Sequence, residues 1–544
     1  WLLLAMLYPG PIFRGEVFQS SDAGNADAFE RAGDALLATG EYPLWNPFLF
    51  AGMPSFGSLA YVKYLYPPTT VFNFLQNQLR FAPLTWLLGH LLLGGLGMAW
   101  FLSRWKLAVG HLVLGAAAWL LFPKLVAWGV HGHGSKVMAA AYLPWIVGWS
   151  LRIMDTGRRR AVGLTGLCLG LQILCGHIQI TYYTLLITGW LTLWTAAWPL
   201  EVPLRAVRAA VRWRRWGLVI LGLAIGFLIG GIMLVPVHDY AGISIRGQDT
   251  AGGGGVGLDY ATGWSLAPGE TGTFVLPSAA GFGKATYLGH MPFTDYPNYF
   301  GLLLILIAAV GWSTGRRRGL VIWAVMALLA VFVSFGNLGF GFYEWLYGWL
   351  PFFNKFRIPS MVLIVVAFTL AVWAARGAAS WAQADEPLIP PKVLPALLGL
   401  AGLLLLLGGG ASLLKGGYER GLTALAEAAG RQVAPILVEE AWRLHRADLI
   451  RIGLILLTAG AACWFALRQA AFRDRGLVWV LVLLVVVDLM GVNSRIVHPE
   501  RSLVEVGRDT AGRPRLVAAQ PMGRAYVRSE RDQAGPDAAA LAAA

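Results

Sequence analysis

Long apolar stretches separated by polar connectors form the dominant pattern of the chain. Each full stretch approaches the roughly 20 residues that an α-helix needs to cross a bilayer, whereas barrel strands would be short and alternating. The stretches predict helical spans near residues 1–9, 83–103, 107–128, 136–153, 161–176, 178–198, 216–236, 298–314, 319–336, 359–376, 393–414, 448–470 and 476–493. We therefore expect an all-α polytopic membrane protein with a bundle of about 13 transmembrane helices.

Every second connector is rich in arginine. The basic connectors lie near residues 104–106, 152–160, 205–215, 316–318, 376–392 and 468–475. Because Lys and Arg accumulate on the cytoplasmic side of membrane proteins, the pattern predicts a cytoplasmic N-terminus. The remaining connectors are then exoplasmic, namely 10–82, 129–135, 176–177, 237–297, 337–358, 415–447 and the tail 494–544.

The composition agrees with a membrane protein, since 57% of the 544 residues are hydrophobic and 13% are charged. The net charge of +14 lies largely in arginines beside the spans, so it does not indicate a nucleic-acid partner. We expect residues 1–493 to form one transmembrane domain. Residues 494–544 are expected to begin an exoplasmic region that this chain does not complete.

The first exoplasmic loop, 10–82, starts with an acidic segment. Asp27, Glu30 and Asp34 recur at helical spacing, which predicts a short interfacial helix with these carboxylates facing water. Asp27 is also a candidate substrate-binding residue. Asp22 follows the first span almost at the membrane surface, where a partly desolvated carboxylate can act as a general base. The alternative role for Asp22 is to cap the helix that follows.

A second segment of this loop, residues 41–56, places prolines and a glycine among aromatic residues. Such a sequence cannot form a regular span. It predicts a rigid segment, with residues 43–54 packed over the bundle. The segment either lines a groove for a lipid chain or is a packed loop without a ligand.

The second exoplasmic connector, 129–135, pairs His131 with His133 between glycines, and Lys136 follows at the start of the next span. Glycine-rich backbone at a helix start with a lysine in its first turn favours an anion such as phosphate. A zinc site needs three or four ligands, and no third ligand is marked here. No metal ligand set is therefore assigned, a divalent metal stays an open alternative that no motif indicates, and no nucleotide or haem motif indicates another cofactor.

Cations also recur in the other exoplasmic connectors, where the positive-inside rule does not predict them. Arg246 lies in one of them, and Lys355 and Arg357 precede a span. An anionic ligand at the outer headgroup level would explain them, and snorkelling to lipid phosphates is the alternative. The polar residues His177 and Asp239 complete the candidate substrate-binding set.

Several motifs occur in a fixed order along residues 20–360. They are S-D at 21–22, G-E-Y-P-L-W-N-P-F-L-F-A-G-M-P-S at 40–55, G-H-I-Q-I-T-Y-Y at 176–183, P-V-H-D-Y-A-G-I-S-I-R at 236–246, Y-L-G-H-M-P-F-T-D-Y-P-N-Y-F-G at 287–301 and K-F-R-I-P-S at 355–360. In order and spacing they resemble the YfhO-like bacterial membrane proteins, which belong to the GT-C class of polytopic glycosyltransferases.

The resemblance implies a multi-pass protein of the bacterial inner membrane. It would transfer a sugar from a polyprenyl-phosphate carrier to an exoplasmic cell-envelope acceptor, with inversion at the anomeric centre. An Asp of the first exoplasmic loop is typically the base in the GT-C class, which maps onto Asp22. Two other functions stay open, namely a transporter or flippase of lipid-linked substrates and a non-catalytic accessory subunit of a membrane assembly.

Overall fold

The computed structural model describes residues 1–18, 20–48, 52–198, 207–244, 256–313, 317–382, 393–431 and 433–499. Helices make up most of this part of the chain. Its first half contains α1 (Leu2–Leu7), α2 (Pro9–Phe13), α3 (Ser21–Leu37), α4 (Pro67–Asn77), α5 (Thr85–Ser103), α6 (Val109–Leu120), α7 (Pro123–Val130), α8 (Gly134–Thr156), α9 (Arg159–Leu174), α10 (Ile178–Ala197) and α11 (Ala209–Ile243). Its second half contains α12 (Leu258–Ala261), α13 (Leu302–Ser313), α14 (Arg317–Ser334), α15 (Phe342–Trp349), α16 (Leu363–Ala382), α17 (Val393–Gly409), α18 (Ala411–Ala428), α19 (Pro435–Arg468) and α20 (Leu477–Asn493).

The prediction of an all-helical, multi-span membrane protein is confirmed. Six of the described helices are long and apolar enough to cross a membrane, or up to eight spans if each of two bent pairs counts as one. Each predicted span coincides with a described helix or helix pair. The larger number of about 13 spans stays a prediction, because several of these helices are short or less apolar.

Glycines allow α9 and α11 to pack closely. Gly166 and Gly170 on α9 meet Ile225 and Ile229 on α11, and a Cβ at Gly170 would lie 2.5 Å from the Ile229 side chain. In return, a Cβ at Gly226 on α11 would lie 2.6 Å from Leu169 on α9. Such small residues at four-residue spacing let helix backbones approach inside a membrane.

The predicted span 107–128 is broken. Pro123 has no N–H to continue the helix, and α6 and α7 meet there at 46°. The break carries Lys124, in the first turn of α7, into the interior of the protein, where it is 3% exposed. It therefore positions a charged residue at the end of the bundle that holds the predicted exoplasmic connectors.

Contacts among those connectors and the first turns of α10 show that they meet at one end of the bundle. Tyr182 donates to the Pro351 carbonyl at 2.9 Å, and Gln179 Nε2 donates to the Arg357 carbonyl at 2.6 Å. The backbone N–H of Val256 donates to the Asn354 carbonyl at 3.0 Å. Which side of the membrane this end faces stays a prediction.

Three connectors differ from expectation. The loop predicted to start at residue 237 starts later, because α11 continues to Ile243. The 41–56 segment contains two short antiparallel strands, β1 (Trp45–Asn46) and β2 (Met53–Pro54). Residues 415–447, predicted as a connector, form parts of two helices, α18 and α19, which pack around Leu288. The remaining turns are the 3-10 segments Pro268–Phe274, Lys284–Thr286, Gly336–Leu338, Phe353–Lys355 and Pro359–Val362, and the π turn Phe472–Gly476.

Candidate active site

Asp22 lies in the first turn of α3, where the helix dipole favours a negative charge. Its Oδ2 is 3.4 Å from His133 Nε2, so the connectors 10–82 and 129–135, which were predicted to lie on the same side of the membrane, are in contact. The Asp22 side chain is 55% exposed. It therefore lies at the rim of the site, whereas the base of a sugar-transfer reaction would be expected deeper in a cleft.

The turn between α7 and α8 fixes both histidines. Gly132 at its centre has a φ of +79°, a conformation that favours glycine. His133 Nδ1–H donates to the His131 carbonyl at 2.9 Å, which leaves Nε2 directed at Asp22. On the other side, His131 Nδ1 is 3.8 Å from Asp295 Oδ2, and its ring stacks on Tyr296.

Burial lowers the pKa of both histidines below the ordinary value. For His133 the next cause is the positive charge of Lys136, and for His131 the carboxylate of Asp295 partly opposes the effect of burial. Burial therefore favours the neutral form of both imidazoles. A neutral His133 with its proton on Nδ1 presents the Nε2 lone pair to Asp22.

Lys136 lies in the first turn of α8 and is 8% exposed. Its ammonium group lies 5.8 Å from the centre of the Trp128 ring, and it interacts electrostatically with both Asp22 and Arg357. The Lys136 ammonium is attracted by the carboxylate of Asp22, the predicted base, and repelled by the guanidinium of Arg357, the predicted phosphate-binding cation. These three residues come from distant parts of the sequence, so their convergence is a property of the fold.

Lys124 is a second buried cation beside Lys136. Its Nζ donates to Asn298 Oδ1 at 2.8 Å and to the Ser360 carbonyl at 2.7 Å. Within the described part of the chain, neither lysine forms an ion pair with a carboxylate within 4 Å. Two neighbouring buried lysines held mainly by neutral groups are suited to bind an anion, whose charge would favour their protonated form.

Aromatic rings hold Arg357 in place. Its guanidinium lies 5.0 Å from the centre of the Tyr260 ring and 5.4 Å from that of Trp264, and it donates a hydrogen bond to the Tyr260 hydroxyl. Gln179 holds the Arg357 backbone carbonyl. Cation–π contacts restrain a guanidinium without neutralising its charge, so Arg357 can still bind a phosphate.

The other predicted residues are not all brought to this cluster. His177 caps α10, because its Nδ1 accepts the Ile180 N–H at 3.3 Å. Asp239 is exposed on α11, and Lys355 is half-buried in the 3-10 turn before Arg357. Asp27 belongs to α3, and Arg246 lies outside the described residues. Binding roles for these five residues stay predictions.

The sequence did not single out Asp295, Asn298 or Gln179. Asp295 and Asn298 belong to the 287–301 motif, and Gln179 belongs to the 176–183 motif. Membership of these motifs is the sequence feature that could have identified them as site residues. Asp34 was expected to face water. Instead it accepts hydrogen bonds from the Tyr61 hydroxyl and Lys63 Nζ, both at 2.6 Å, which ties α3 to the segment after β2.

An apolar groove of about 460 Å³ lies between that segment and α11. Its lining consists of Tyr42, Leu44, Phe56, Lys63, Tyr64, Leu65, Ile232 and Pro236. The groove is large enough to take part of a lipid chain. Among the residues that the structure describes, no three His, Cys, Asp or Glu side chains are grouped to hold a metal ion.

Comparisons with known proteins give a structural similarity but no sequence family. No protein-family model and no curated protein sequence matches the chain. The fold is similar to ArnT from Cupriavidus metallidurans in the apo state, with 15% identity, a TM-score of 0.49, and coverage of 91% of this chain and 76% of that chain. It is also similar to the structure of that protein bound to undecaprenyl phosphate, with 15% identity, a TM-score of 0.46 and the same coverage.

Proposed function

We propose that this protein is an inner-membrane glycosyltransferase that moves a sugar from a polyprenyl-phosphate carrier to an exoplasmic cell-envelope acceptor. The observation that carries the proposal is the convergence of one carboxylate, Asp22, with the cations Lys136 and Arg357 at a single end of the bundle. Sugar transfer from a phosphate needs both elements, a base for the acceptor and positive charge for the leaving group.

In the proposed reaction, Asp22 takes the proton of an acceptor hydroxyl. The acceptor oxygen forms a bond to the anomeric carbon as the bond from that carbon to the phosphate oxygen breaks. The electron pair of the broken bond goes to the phosphate, where Lys136 and Arg357 stabilise the charge. Direct displacement of this kind inverts the anomeric centre.

The His133 Nε2 lone pair is suited to receive the proton from Asp22 afterwards. Its distance of 3.4 Å from Asp22 Oδ2 is close to hydrogen-bond range. The exposure of Asp22 at the rim leaves room for a bulky acceptor to approach. The apolar groove beside α11 would hold part of the carrier chain.

Transport of a lipid-linked substrate and an accessory role are the competing functions. The buried lysines of the site, Lys124 and Lys136, lie near one end of the bundle rather than along its depth. A pathway for a charged headgroup would need polar groups at successive depths. Chemistry at one face agrees better with this distribution.

Reconstitution of the full chain into liposomes would test the proposal. Given a radiolabelled polyprenyl-phosphate sugar and an extract of cell-envelope glycans, we expect label to move covalently from lipid to glycan. Movement of the labelled lipid between leaflets without covalent transfer would instead support a transporter. Neither transfer nor movement with any supplied donor would support an accessory role and contradict the proposal.

A further inference from the structure

A second cavity, lined by charged and aromatic residues, lies at the arginine-rich end of the bundle. It has a volume of about 330 Å³ and is formed by the ends of α5 and α8 and the start of α9. Helix α8 has 23 residues, and its length of roughly 34 Å separates this cavity from His133 and Asp22 at its other end. The cavity is therefore separate from the candidate active site.

The lining of this cavity is strongly basic. Arginines at positions 104, 152, 158 and 160 surround it, and Asp155 is the acidic residue of the lining. Asp155 is already paired with Arg104. The other three guanidinium groups therefore face the cavity with an excess of positive charge, which an anion would balance.

The backbone around the cavity is also arranged to favour an anion. The negative end of the α8 dipole is compensated by Arg215, which donates to the carbonyls of Met154 at 2.9 Å and Asp155 at 2.7 Å. Gly157, with a φ of +66°, reverses the chain so that α9 begins at Arg159. The positive end of the α9 dipole then lies beside the arginines.

One wall of the cavity is aromatic. The ring of Trp100 lies 5.1 Å from that of Trp145 and 4.4 Å from that of Trp149, and Trp100 and Trp149 both line the cavity. Gly148 makes room for this stack, because a Cβ at that position would lie 2.4 Å from the Trp100 ring. Basic residues beside tryptophans at a helix end are suited to a ligand that is charged at one end and apolar at the other.

We propose that this cavity binds the phosphate group of an anionic lipid at the end of the bundle opposite Asp22. Guanidinium groups from Arg152, Arg158 and Arg160 contact the phosphate oxygens, and the Trp100–Trp149 wall contacts the glycerol or prenyl unit next to them. The shared chemistry is a lipid phosphate ester, whether the source is a diacyl phospholipid or a polyprenyl phosphate. The site does not depend on the proposed glycosyl transfer.

Native mass spectrometry of the purified full chain would test this site. The probes are phosphatidylglycerol, polyprenyl phosphate, zwitterionic phosphatidylcholine and inorganic phosphate. We expect saturable retention of at least one anionic lipid and none of phosphatidylcholine. The more tightly retained anionic lipid identifies the source. Binding of inorganic phosphate with neither lipid would overturn the lipid assignment.

Two double variants distinguish binding in this cavity from non-specific attraction of lipid to surface arginines. The double substitution Arg152→Gln/Arg160→Gln should weaken lipid retention at least tenfold, since each lost charge-assisted contact is worth roughly a factor of ten. The control Arg473→Gln/Arg475→Gln removes two arginines from another basic connector and should leave retention unchanged. An equal loss in both double variants would show non-specific attraction and contradict the proposal.

Ser103→Trp supplies a test that keeps every arginine. Ser103 is exposed at the rim of the cavity, so a tryptophan there fills the space without removing charge. We expect this variant to lose the retained lipid as the double arginine variant does. Unchanged retention in Ser103→Trp would place the lipid outside the cavity and overturn the assignment.

Discussion

The charge network around Asp448 leads to a quantitative prediction for Asp448→Asn. Asp448 is 0% exposed on α19, and its carboxylate accepts hydrogen bonds from Arg451 at 3.2 Å and from Arg495 at 2.9 Å. It also accepts one from the Ser278 hydroxyl. Arg451 has a second partner in Asp488, whereas Asp448 is the acid that pairs with Arg495.

Asparagine keeps the shape of this site but removes its charge. Arg495 would then remain partly buried without its carboxylate, and breaking a buried pair in this way costs about 3–5 kcal/mol. Because the Arg495 side chain is 25% exposed, we expect the lower end, about 3 kcal/mol. Because asparagine has one acceptor oxygen where aspartate has two, it cannot accept from both the arginines and the Ser278 hydroxyl as Asp448 does.

The same helix offers a matched control. Glu440 and Arg443 form an ion pair with the same three-residue spacing as Asp448 and Arg451, but their side chains are 41% and 75% exposed. Glu440→Gln should therefore cost no more than about 0.5 kcal/mol. Thermal unfolding of both variants in one detergent measures the difference. Equal shifts of the unfolding midpoint would refute the reasoning that burial makes the Asp448 network contribute more to stability than the exposed pair does.

Three further predictions concern pH, packing and topology. Burial lowers the pKa of His131 and His133 in the folded protein below the value of about 6.5 expected in the unfolded chain. The unfolded chain therefore takes up protons first as the pH falls, and the stability present above about pH 6.5 is lost as the pH falls through the lower folded-state pKa values. Replacing both histidines by Gln should make the unfolding midpoint less sensitive to pH in this range, and an unchanged sensitivity would contradict the assignment. Gly226→Leu should separate α9 from α11 and lower the yield of folded protein, whereas Gly231→Leu on the same helix, with open space around its Cα, should not. With the native cysteines replaced, single cysteines at Arg158 and Thr250 should be labelled from opposite sides of the membrane; labelling from one side would contradict the arginine-based topology.

Hydropathy located the helices of the predicted spans, but it did not set where they end. The α11 helix continues through His238 and Asp239 because backbone hydrogen bonding does not require apolar side chains. Likewise, the break between α6 and α7 lies inside one apolar run. Lys124 is visible in that run, and the break at Pro123 explains how this lysine comes to be buried.

The predicted side of the membrane for each connector identified part of the site. The alternation of arginine placed Asp22, His133, Lys136 and Arg357 in connectors of one face, and the structure brings these residues together. The partner of His131, Asp295, lies more than 160 positions away in sequence, and no local pattern encodes that distance. The Tyr260 and Trp264 rings around Arg357 also depend on long-range packing.

The role of Asp22 as the base can be measured by comparing the transfer rate and donor binding of Asp22→Asn with those of the unchanged protein. General-base catalysis contributes roughly 10²–10⁴-fold, so we expect a rate loss of that size with donor affinity retained. Glu30→Gln, an exposed acid of the same helix, serves as the control and should transfer at the normal rate. Arg357→Ala should instead weaken donor binding. Full transfer activity in Asp22→Asn would contradict the catalytic assignment.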